Sequence, residues 1–214
     1  VGEFFLAKSN LDYLNFAIKN KISVRVVTNA TVLLPEHLLA LKQQSDLELQ
    51  ISCDGIEDMY EFMRYPGKWE KFKKNAELLI TSLPKANINF NFVVQPLNVE
   101  NLIPSLNELN KFKKKIRITN LLGPSNISWS ILTDSEKIKI NEIIQEQLNN
   151  TSYRITAQQK EFVKNLINTI SKSVFDENLR SDFKNSVAKI LYARNNTDLY
   201  SGILRSLIDS AGRP

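Results

Sequence analysis

The chain has 214 residues, of which 43% are hydrophobic and 24% charged, with six glycines and seven prolines. This composition is typical of a globular protein and excludes the collagen-like, low-complexity and intrinsically disordered classes. The formal charge of +5 comes from lysines and arginines scattered along the sequence, which is typical of a solvated surface. The length indicates one large domain, or one domain with an appendage.

The charge and hydropathy patterns also indicate which partners and which cellular compartment to expect for this protein. The clearest basic cluster, Lys111 to Lys115 with Arg117, has no aromatic-rich strand platform beside it, so a nucleic-acid partner is not favoured. No segment approaches the roughly 18 to 20 apolar residues of a membrane-spanning helix, and no signal-peptide pattern opens the sequence. The sequence therefore predicts a soluble cytoplasmic protein without a membrane partner.

Strand and helix patterns alternate in the first 125 residues. Four short runs predict strands, at Val24 to Thr28, Leu47 to Ser52, Ile88 to Gln95 and about Ile116 to Leu121. Four segments with helical spacing follow Ser9-Asn10, start at Pro35-Glu36, surround Trp69 to Ile80 and surround Leu102 to Phe112. This alternation predicts βα units that build a parallel sheet with right-handed crossovers.

The predicted strands carry polar residues on one face, which a parallel sheet covered on both faces would not have. These residues are Arg25, Asn29, Glu48, Gln50, Ser52, Asn89, Asn91 and Gln95. An antiparallel sheet with one wet face is an alternative, but the intervening helices argue against it. A parallel sheet curved into an open barrel, with helices outside and a polar lumen, fits both observations. Functional residues are then expected at the carboxyl ends of the strands.

The strand pattern ends near residue 122, and only helical patterns follow. They cover about 134–149, 156–173 and 179–193. We therefore predict a barrel portion at residues 1–150 and a helical C-terminal extension at residues 151–214.

Polar residues cluster at the predicted strand ends. They lie in Gly2-Glu3, Thr28-Asn29-Ala30-Thr31, Ser52-Cys53-Asp54-Gly55 and, on a loop further along, at Arg64. Hydroxyls, an amide and an acid at one end of the predicted barrel can hydrogen-bond a sugar or an amino acid. An arginine there can bind a carboxylate through two hydrogen bonds. None of them is a nucleophile with a base beside it. The sole histidine, His37, is expected to be an ordinary surface residue, so Ser-His-Asp catalysis and a histidine metal site are not supported.

The strand-end motifs resemble those of radical S-adenosylmethionine enzymes. Val1 to Phe5, V-G-E-F-F, resembles the G-G-E-P motif that ends their second barrel strand, and Thr28 to Leu33 is similar to T-N-G-T-x-L at the third. Ile51 to Gly55 is similar to S-x-D-G at the fourth strand, and Arg64 stands where many members carry an arginine. The resemblance covers residues 1–125 and is nearest to members with twitch or SPASM-like cluster-binding extensions.

The resemblance implies a fold and a chemistry. The fold would be a partial (βα)6, TIM-like barrel that lacks its first strand and carries a helical C-terminal extension. In the family, S-adenosylmethionine is cleaved reductively at a four-iron four-sulfur (4Fe-4S) cluster, and the resulting 5′-deoxyadenosyl radical abstracts hydrogen from the substrate. The protein orients the cofactors and excludes water.

The resemblance also implies roles for six cofactor-binding residues. The backbone at Gly2 and Glu3 would meet the amino group of S-adenosylmethionine. Ser52 and Asp54 would hydrogen-bond its ribose or carboxylate. Arg64 would pair with the same carboxylate. Asn29, at the end of the third strand, would face the cavity that holds S-adenosylmethionine.

The sequence lacks the residues with which the family binds its iron-sulfur cluster. The family binds it with three cysteines in C-x-x-x-C-x-x-C after strand one, whereas Cys53 is the sole cysteine here. Either the sequence is truncated just before Gly2, or the protein is a degenerate relative. The sequence starts without Met and inside a motif, which favours truncation. Phe4 and Ala30 replace a proline and a glycine of the family motifs, and these changes favour a degenerate relative. Cys53 is expected to be a small buried apolar residue.

We therefore predict a fragment of a radical S-adenosylmethionine enzyme that is inactive alone, because it lacks the cluster cysteines. Its substrate, a peptide or a small molecule, is not specified by the sequence. The alternative is a non-catalytic barrel module that binds a nucleotide, a metabolite or an acidic partner. A third candidate, another barrel enzyme with Glu48 or Asp54 as base, has no evident partner residue.

Overall fold

The computed structural model describes residues 3–121 and 123–194, without the side chains of Tyr192 and Ala193. The strands in this part of the chain are β1 (Val24–Thr28), β2 (Leu47–Ser52), β3 (Asn87–Val94) and β4 (Lys115–Asn120). The helices are α1 (Ser9–Asn20), α2 (Pro35–Lys42), α3 (Glu57–Met63), α4 (Trp69–Ser82), α5 (Leu102–Asn110), α6 (Asp134–Asn149), α7 (Ala157–Lys172) and α8 (Glu177–Arg194). Short 3-10 turns lie at Phe4–Leu6, Val99–Asn101, Ser125–Ile127 and Trp129–Ile131.

The four strands form one sheet in the order β1-β2-β3-β4. Pairing is parallel from β1 to β2 and from β2 to β3, with Val24 opposite Leu47 and Glu48 opposite Asn87. Each connection between successive strands contains a helix, as parallel neighbours require. The predicted parallel α/β sheet is confirmed, and the antiparallel alternative is wrong.

The two faces of the sheet differ as the alternating pattern predicts. Val26, Leu49 and Phe90 represent the buried face. Phe72 of α4 covers this face, with its ring centroid 6.5 Å from that of Phe90. Each large apolar side chain buried here stabilises the fold by about 1.5–3 kcal/mol. The opposite face carries the polar side chains.

Local signals set several helix starts. Pro35 stands at the beginning of α2, where a missing N–H costs nothing. α6 begins at a capping box between Thr133 and Glu136, and α7 at one between Thr156 and Gln159. The three predicted C-terminal helices are confirmed, with ends within two residues of the predicted ones.

His37 is buried, so the expectation of a surface residue is wrong. Only 1% of it is exposed. Its ring packs edge-on against Phe4 and Phe5, with centroid separations of 6.2 and 5.6 Å. The turn at Phe4–Leu6 covers the start of α2, and this contact between distant parts of the sequence leaves no local signal.

Residue contacts divide the chain into two compact units. One comprises residues 1–92 with 108–117, and the other comprises residues 93–107 with 118–214. The division at residue 150 stays a prediction from sequence. No helix in the described ranges is long and apolar enough to cross a membrane.

A buried ion pair holds helices of the second unit together. Arg180 donates to the two carboxylate oxygens of Glu136 over 2.6 and 2.9 Å, and to the carbonyl of Ile131 over 2.8 Å. Burial alone would raise the pKa of Glu136, but hydrogen bonds from Arg180 and Thr133 outweigh burial and lower it. The pair therefore joins the start of α6 to α8.

Candidate functional site

The carboxylate of Glu3 closes the carboxyl end of β1. Thr28 Oγ1 donates to Glu3 Oε1, and the backbone N–H of Asn29 donates to Glu3 Oε2 over 2.8 Å. Both oxygens of one carboxylate thus fix the chain where the strand ends. The structure brings Glu3 and Asn29 together, as expected of residues in one site.

A tight turn after β1 positions the Asn29 side chain. Asn29 Oδ1 accepts from the N–H of Thr31 over 3.0 Å and from its hydroxyl over 2.7 Å, which is an Asx-type turn. Ala30 between them has a φ of 52°, in the left-handed region that costs an L-residue about 1–2 kcal/mol. The similar family motif has glycine at this position. Asn75 Nδ2 secures the turn by donating to the Ala30 carbonyl over 2.7 Å.

Asp54 and Arg64 form an ion pair beyond the end of β2. Arg64 Nη2 donates to Asp54 Oδ2, and the two side chains are 25% (Arg64) and 10% (Asp54) exposed. Helix α3 makes this contact possible, because it ends at Met63, directly before Arg64. The sequence predicts a loop at Arg64 and gives no signal for α3, since seven residues are too few for a clear helical period. Arg64 Nε is buried, and no described residue hydrogen-bonds it.

Gly67 lets the segment after Arg64 approach the β1 turn. A Cβ at Gly67 would lie 2.8 Å from the Arg64 carbonyl oxygen and 2.8 Å from Thr31 Cγ2. Glycine avoids both clashes because it has no side chain. The residues after β1 and the residues around Arg64 are thereby neighbours.

Tyr60 is a residue of this site that the sequence analysis missed. It lies on α3, is fully buried, and donates its hydroxyl to the Asn29 carbonyl over 3.3 Å. Burial raises the pKa of this hydroxyl above its ordinary value. The charged residues that also act on it electrostatically include Arg64, Glu3 and Asp54. A tyrosine one helical turn before Arg64 would have been a signal had α3 been predicted.

The two other predicted residues are Ser52 and Gly2. Ser52 is half-buried, ends β2 and lies opposite Asn91. Because Thr28 pairs with Ile51, the next residues, Asn29 and Ser52, lie at the same edge of the sheet. Gly2 lies outside the described residues. The structure therefore joins Glu3 to Asn29 and Asp54 to Arg64, and it places Ser52 at the edge where β1 also ends.

Cys53 is fully buried next to this site, as expected of an apolar-like cysteine. Its Sγ donates to the Gly55 carbonyl over 3.1 Å. Burial raises the pKa of the thiol to about 12. The thiol is therefore protonated at neutral pH, and it is a poor nucleophile and a poor metal ligand.

The Cys53 thiol is expected to resist labelling in the native chain. A pKa of about 12 lowers the thiolate fraction at pH 8 by roughly three orders of magnitude relative to a free cysteine. Reaction with 5,5′-dithiobis(2-nitrobenzoic acid), followed by absorbance, should be slow in buffer and rapid in urea. Equal rates in buffer and urea would contradict this burial.

The site residues do not fit an iron-sulfur cluster. Such a cluster needs several thiolates, and the sequence has only Cys53, whose thiol is protonated and bonded to a backbone carbonyl. Across residues 3–121 and 123–194, no group of three or more His, Cys, Asp or Glu side chains could hold a metal ion. The donors and acceptors at the strand ends fit an organic ligand with a carboxylate and hydroxyl groups instead.

Comparisons with known proteins support the fold. No family model and no curated protein matches the chain. The similar solved structures include two of SuiB from Streptococcus suis. SuiB bound to S-adenosylmethionine has 14% sequence identity and a TM-score of 0.50, and SuiB bound to its precursor peptide SuiA has 15% and 0.48.

The chain is similar to only part of SuiB. In both cases 72% of the chain is covered, but only 35% of SuiB. The chain thus spans about a third of the length of the protein that it resembles. At 14% identity, the comparison with the S-adenosylmethionine complex shows a shared α/β fold and does not assign a function.

Proposed function

We propose that this chain binds S-adenosylmethionine and is part of a radical S-adenosylmethionine enzyme. The observation that carries the proposal is the set of neighbouring polar groups after β1 and β2, at the motif positions of that family. Glu3 binds the turn at Asn29, Arg64 binds Asp54, and Tyr60 contacts the turn from α3. Similarity of the fold to SuiB bound to S-adenosylmethionine supports the same reading.

Arg64 is suited to the carboxylate of the ligand. One terminal nitrogen is engaged by Asp54, while Nε is buried without a hydrogen-bond partner in the described residues. A buried donor without an acceptor costs about 1–3 kcal/mol, so a carboxylate that accepts from it gains that free energy on binding. Asp54 in turn keeps the guanidinium oriented.

The other residues supply the remaining polar contacts in this proposal. The backbone at Gly2 and Glu3 receives the amino group. The Ser52 hydroxyl hydrogen-bonds the ribose or the carboxylate, and the Asp54 carboxylate accepts from a ribose hydroxyl. Asn29, oriented by its bonds to Thr31, faces the same ligand. We propose residues 1–150 as the partial barrel and residues 151–214 as a helical extension of the twitch or SPASM-like type.

The proposed enzyme needs a 4Fe-4S cluster, which this chain does not hold by itself. Its one cysteine, Cys53, is protonated and buried, so the cluster ligands have to come from outside these 214 residues. The cluster would supply the electron that cleaves S-adenosylmethionine to the 5′-deoxyadenosyl radical. The substrate, a peptide or a small molecule, and a cytoplasmic location remain parts of the proposal.

The chain is expected to bind S-adenosylmethionine without cleaving it. Isothermal titration of the purified chain should show saturable binding to one site, which S-adenosylhomocysteine competes for and ATP does not. Anaerobic incubation with iron, sulfide and dithionite should produce no 5′-deoxyadenosine by liquid chromatography. Absence of saturable binding would reject the proposed function, and cleavage would reject the assignment of the cluster ligands outside the chain.

A second candidate is a module that binds a nucleotide or metabolite, or an acidic partner, without catalysis. The protonated state of Cys53 favours it, because no described residue replaces the missing cluster ligands. The coding sequence before Val1 separates the two candidates. A C-x-x-x-C-x-x-C motif in frame there supports the enzyme, and a start codon immediately before Val1 supports the module.

A further inference from the structure

The polar face of the sheet contains a ladder of asparagines on β3. Asn87, Asn89 and Asn91 occupy alternate positions of that strand and therefore point to the same face. Asparagine is depleted in β-strands, so three in one strand reduce its intrinsic stability. The row places carboxamide groups side by side on the polar face, where Asn89 Nδ2 donates to Asn87 Oδ1 over 3.2 Å.

The neighbouring strand continues the same polar surface. Glu48 lies opposite Asn87, Gln50 opposite Asn89, and β2 ends with Ser52 beside Asn91. Gln50 is only 9% exposed and donates to Glu48 over 3.2 Å. Carboxamide groups supply N–H donors that can turn toward an anion as well as oxygens that accept hydrogen bonds.

A cavity of about 200 Å³ lies on this face. Among the side chains that line it are Gln50, the three asparagines, Lys115 and Arg117. The volume is below the roughly 300 Å³ at which pockets for whole drug-sized ligands begin. The cavity therefore suits an ion or a single functional group of a larger molecule.

The charge of the lining is positive. Lys115 and Arg117 are exposed, and neither forms an ion pair with any residue that the structure describes. Glu48 is the carboxylate of the lining, and Arg25 already faces it at 3.7 Å. Two cations without counter-charges beside rotatable amides favour an anion with several acceptor oxygens.

We infer that this cavity is an oxyanion-binding subsite for a carboxylate or a phosphate group. Arg117 presents a planar fork of donors and Lys115 a point charge. The Asn89 and Gln50 amides each donate one N–H, to Asn87 and Glu48 respectively, and each keeps a second N–H for the anion. The subsite is separate from the strand-end residues assigned to S-adenosylmethionine, because it lies along the strands rather than after them.

The position of the subsite gives it a role if the proposed function holds. Asn91 belongs to the cavity and lies opposite Ser52, one of the residues proposed to bind the cofactor. An anionic group held in the cavity would anchor the substrate on the face where the cofactor binds. This role rests on the proposed function, whereas binding of the anion does not.

The subsite is tested by nuclear magnetic resonance titration of the ¹⁵N-labelled full chain, without S-adenosylmethionine. Inorganic phosphate and acetate are added separately in a chloride background of constant ionic strength. At least one of them should shift the amide signals of Asn89, Asn91 and Gln50 in a saturable way at up to tens of millimolar. The anion that does so identifies a phosphate or a carboxylate as the ligand group.

Two variants and one control decide the outcome. Lys115→Gln with Arg117→Gln should raise the dissociation constant roughly tenfold or more. Asn89→Asp keeps a polar side chain and should abolish binding by repulsion. Lys71→Gln with Lys74→Gln removes the same charge from exposed positions of α4 and should change affinity less than about twofold.

The inference is overturned if neither anion gives saturable shifts, or if the control weakens binding as much as the cavity variant. Either result leaves the proposed function standing when S-adenosylmethionine still binds. Conversely, if the chain binds the anion but does not bind S-adenosylmethionine, the subsite is supported and the proposed function is rejected.

Discussion

Replacing Arg64 with alanine is expected to raise the dissociation constant for S-adenosylmethionine about 10- to 150-fold. This range corresponds to the loss of about 1.5–3 kcal/mol, the typical contribution of a hydrogen bond to a charged group. Arg64 is the cation that pairs with Asp54 beyond the end of β2. Isothermal titration of the wild-type and variant chains measures the change.

Loss of folding has to be separated from loss of binding. Arg64→Ala leaves Asp54, only 10% exposed, without its cation, which lowers the stability of the chain. The double change Asp54→Asn with Arg64→Gln removes both charges and should restore thermal stability while affinity stays low. Lys71→Ala, at an exposed position of α4, is the matched control and should bind like the wild type. Unchanged affinity in a folded Arg64→Ala chain would reject the assignment.

Replacing Arg180 with methionine is expected to lower the free energy of unfolding by about 3–5 kcal/mol, the usual effect of removing one partner of a buried ion pair. The carboxylate of Glu136 would remain buried without its guanidinium partner, and the Ile131 carbonyl would lose its donor. The chain has two tryptophans, so the variants are made in a Trp69→Phe background. Urea unfolding followed by fluorescence then reports the loss, because Trp129 precedes Ile131 in the same 3-10 turn.

The pH dependence gives an independent check of this ion pair. The pKa of Glu136 is lowered in the folded chain. The pair therefore contributes fully above the unfolded pKa of about 4.3, and its contribution is lost as the pH falls through the folded pKa. The Arg180→Met chain should show a weaker loss of stability between neutral and acidic pH than the wild type.

Two further variants complete the test of the Arg180 pair. Glu136→Gln with Arg180→Met leaves no unpaired charge and should recover part of the lost stability. Lys164→Met, at an exposed position of α7, should change stability by less than about 0.5 kcal/mol. A stable Arg180→Met chain with unchanged pH dependence would contradict the role of the pair.

The strands and most helices were predictable because their signals are local. Alternation in β2 and β3 separates buried residues such as Leu49 and Phe90 from polar ones such as Gln50 and Asn89. Capping residues marked the start of α6. The short helix α3 was not predicted, because its seven residues complete only two turns and provide too little periodicity.

The candidate site was predictable only in part. Glu3, Asn29, Asp54 and Arg64 were identified from motifs, but motifs do not tell which side chains meet. The hydrogen bonds from the β1 turn to Glu3 join residues 25 and 26 positions apart in the chain. The ion pair of Arg64 with Asp54 depends on α3, which ends directly before Arg64.

The sequence by itself determined the parallel βα order, the polar face and the burial of Cys53, because spacing and composition decide these properties within short segments. Only the tertiary structure decided the burial of His37 and the contact of Tyr60 with Asn29. It also decided the cavity that Lys115 and Arg117 share with the β3 asparagines. These contacts join residues far apart in the chain, and their free energies depend on distance and solvent exclusion, which no local pattern contains.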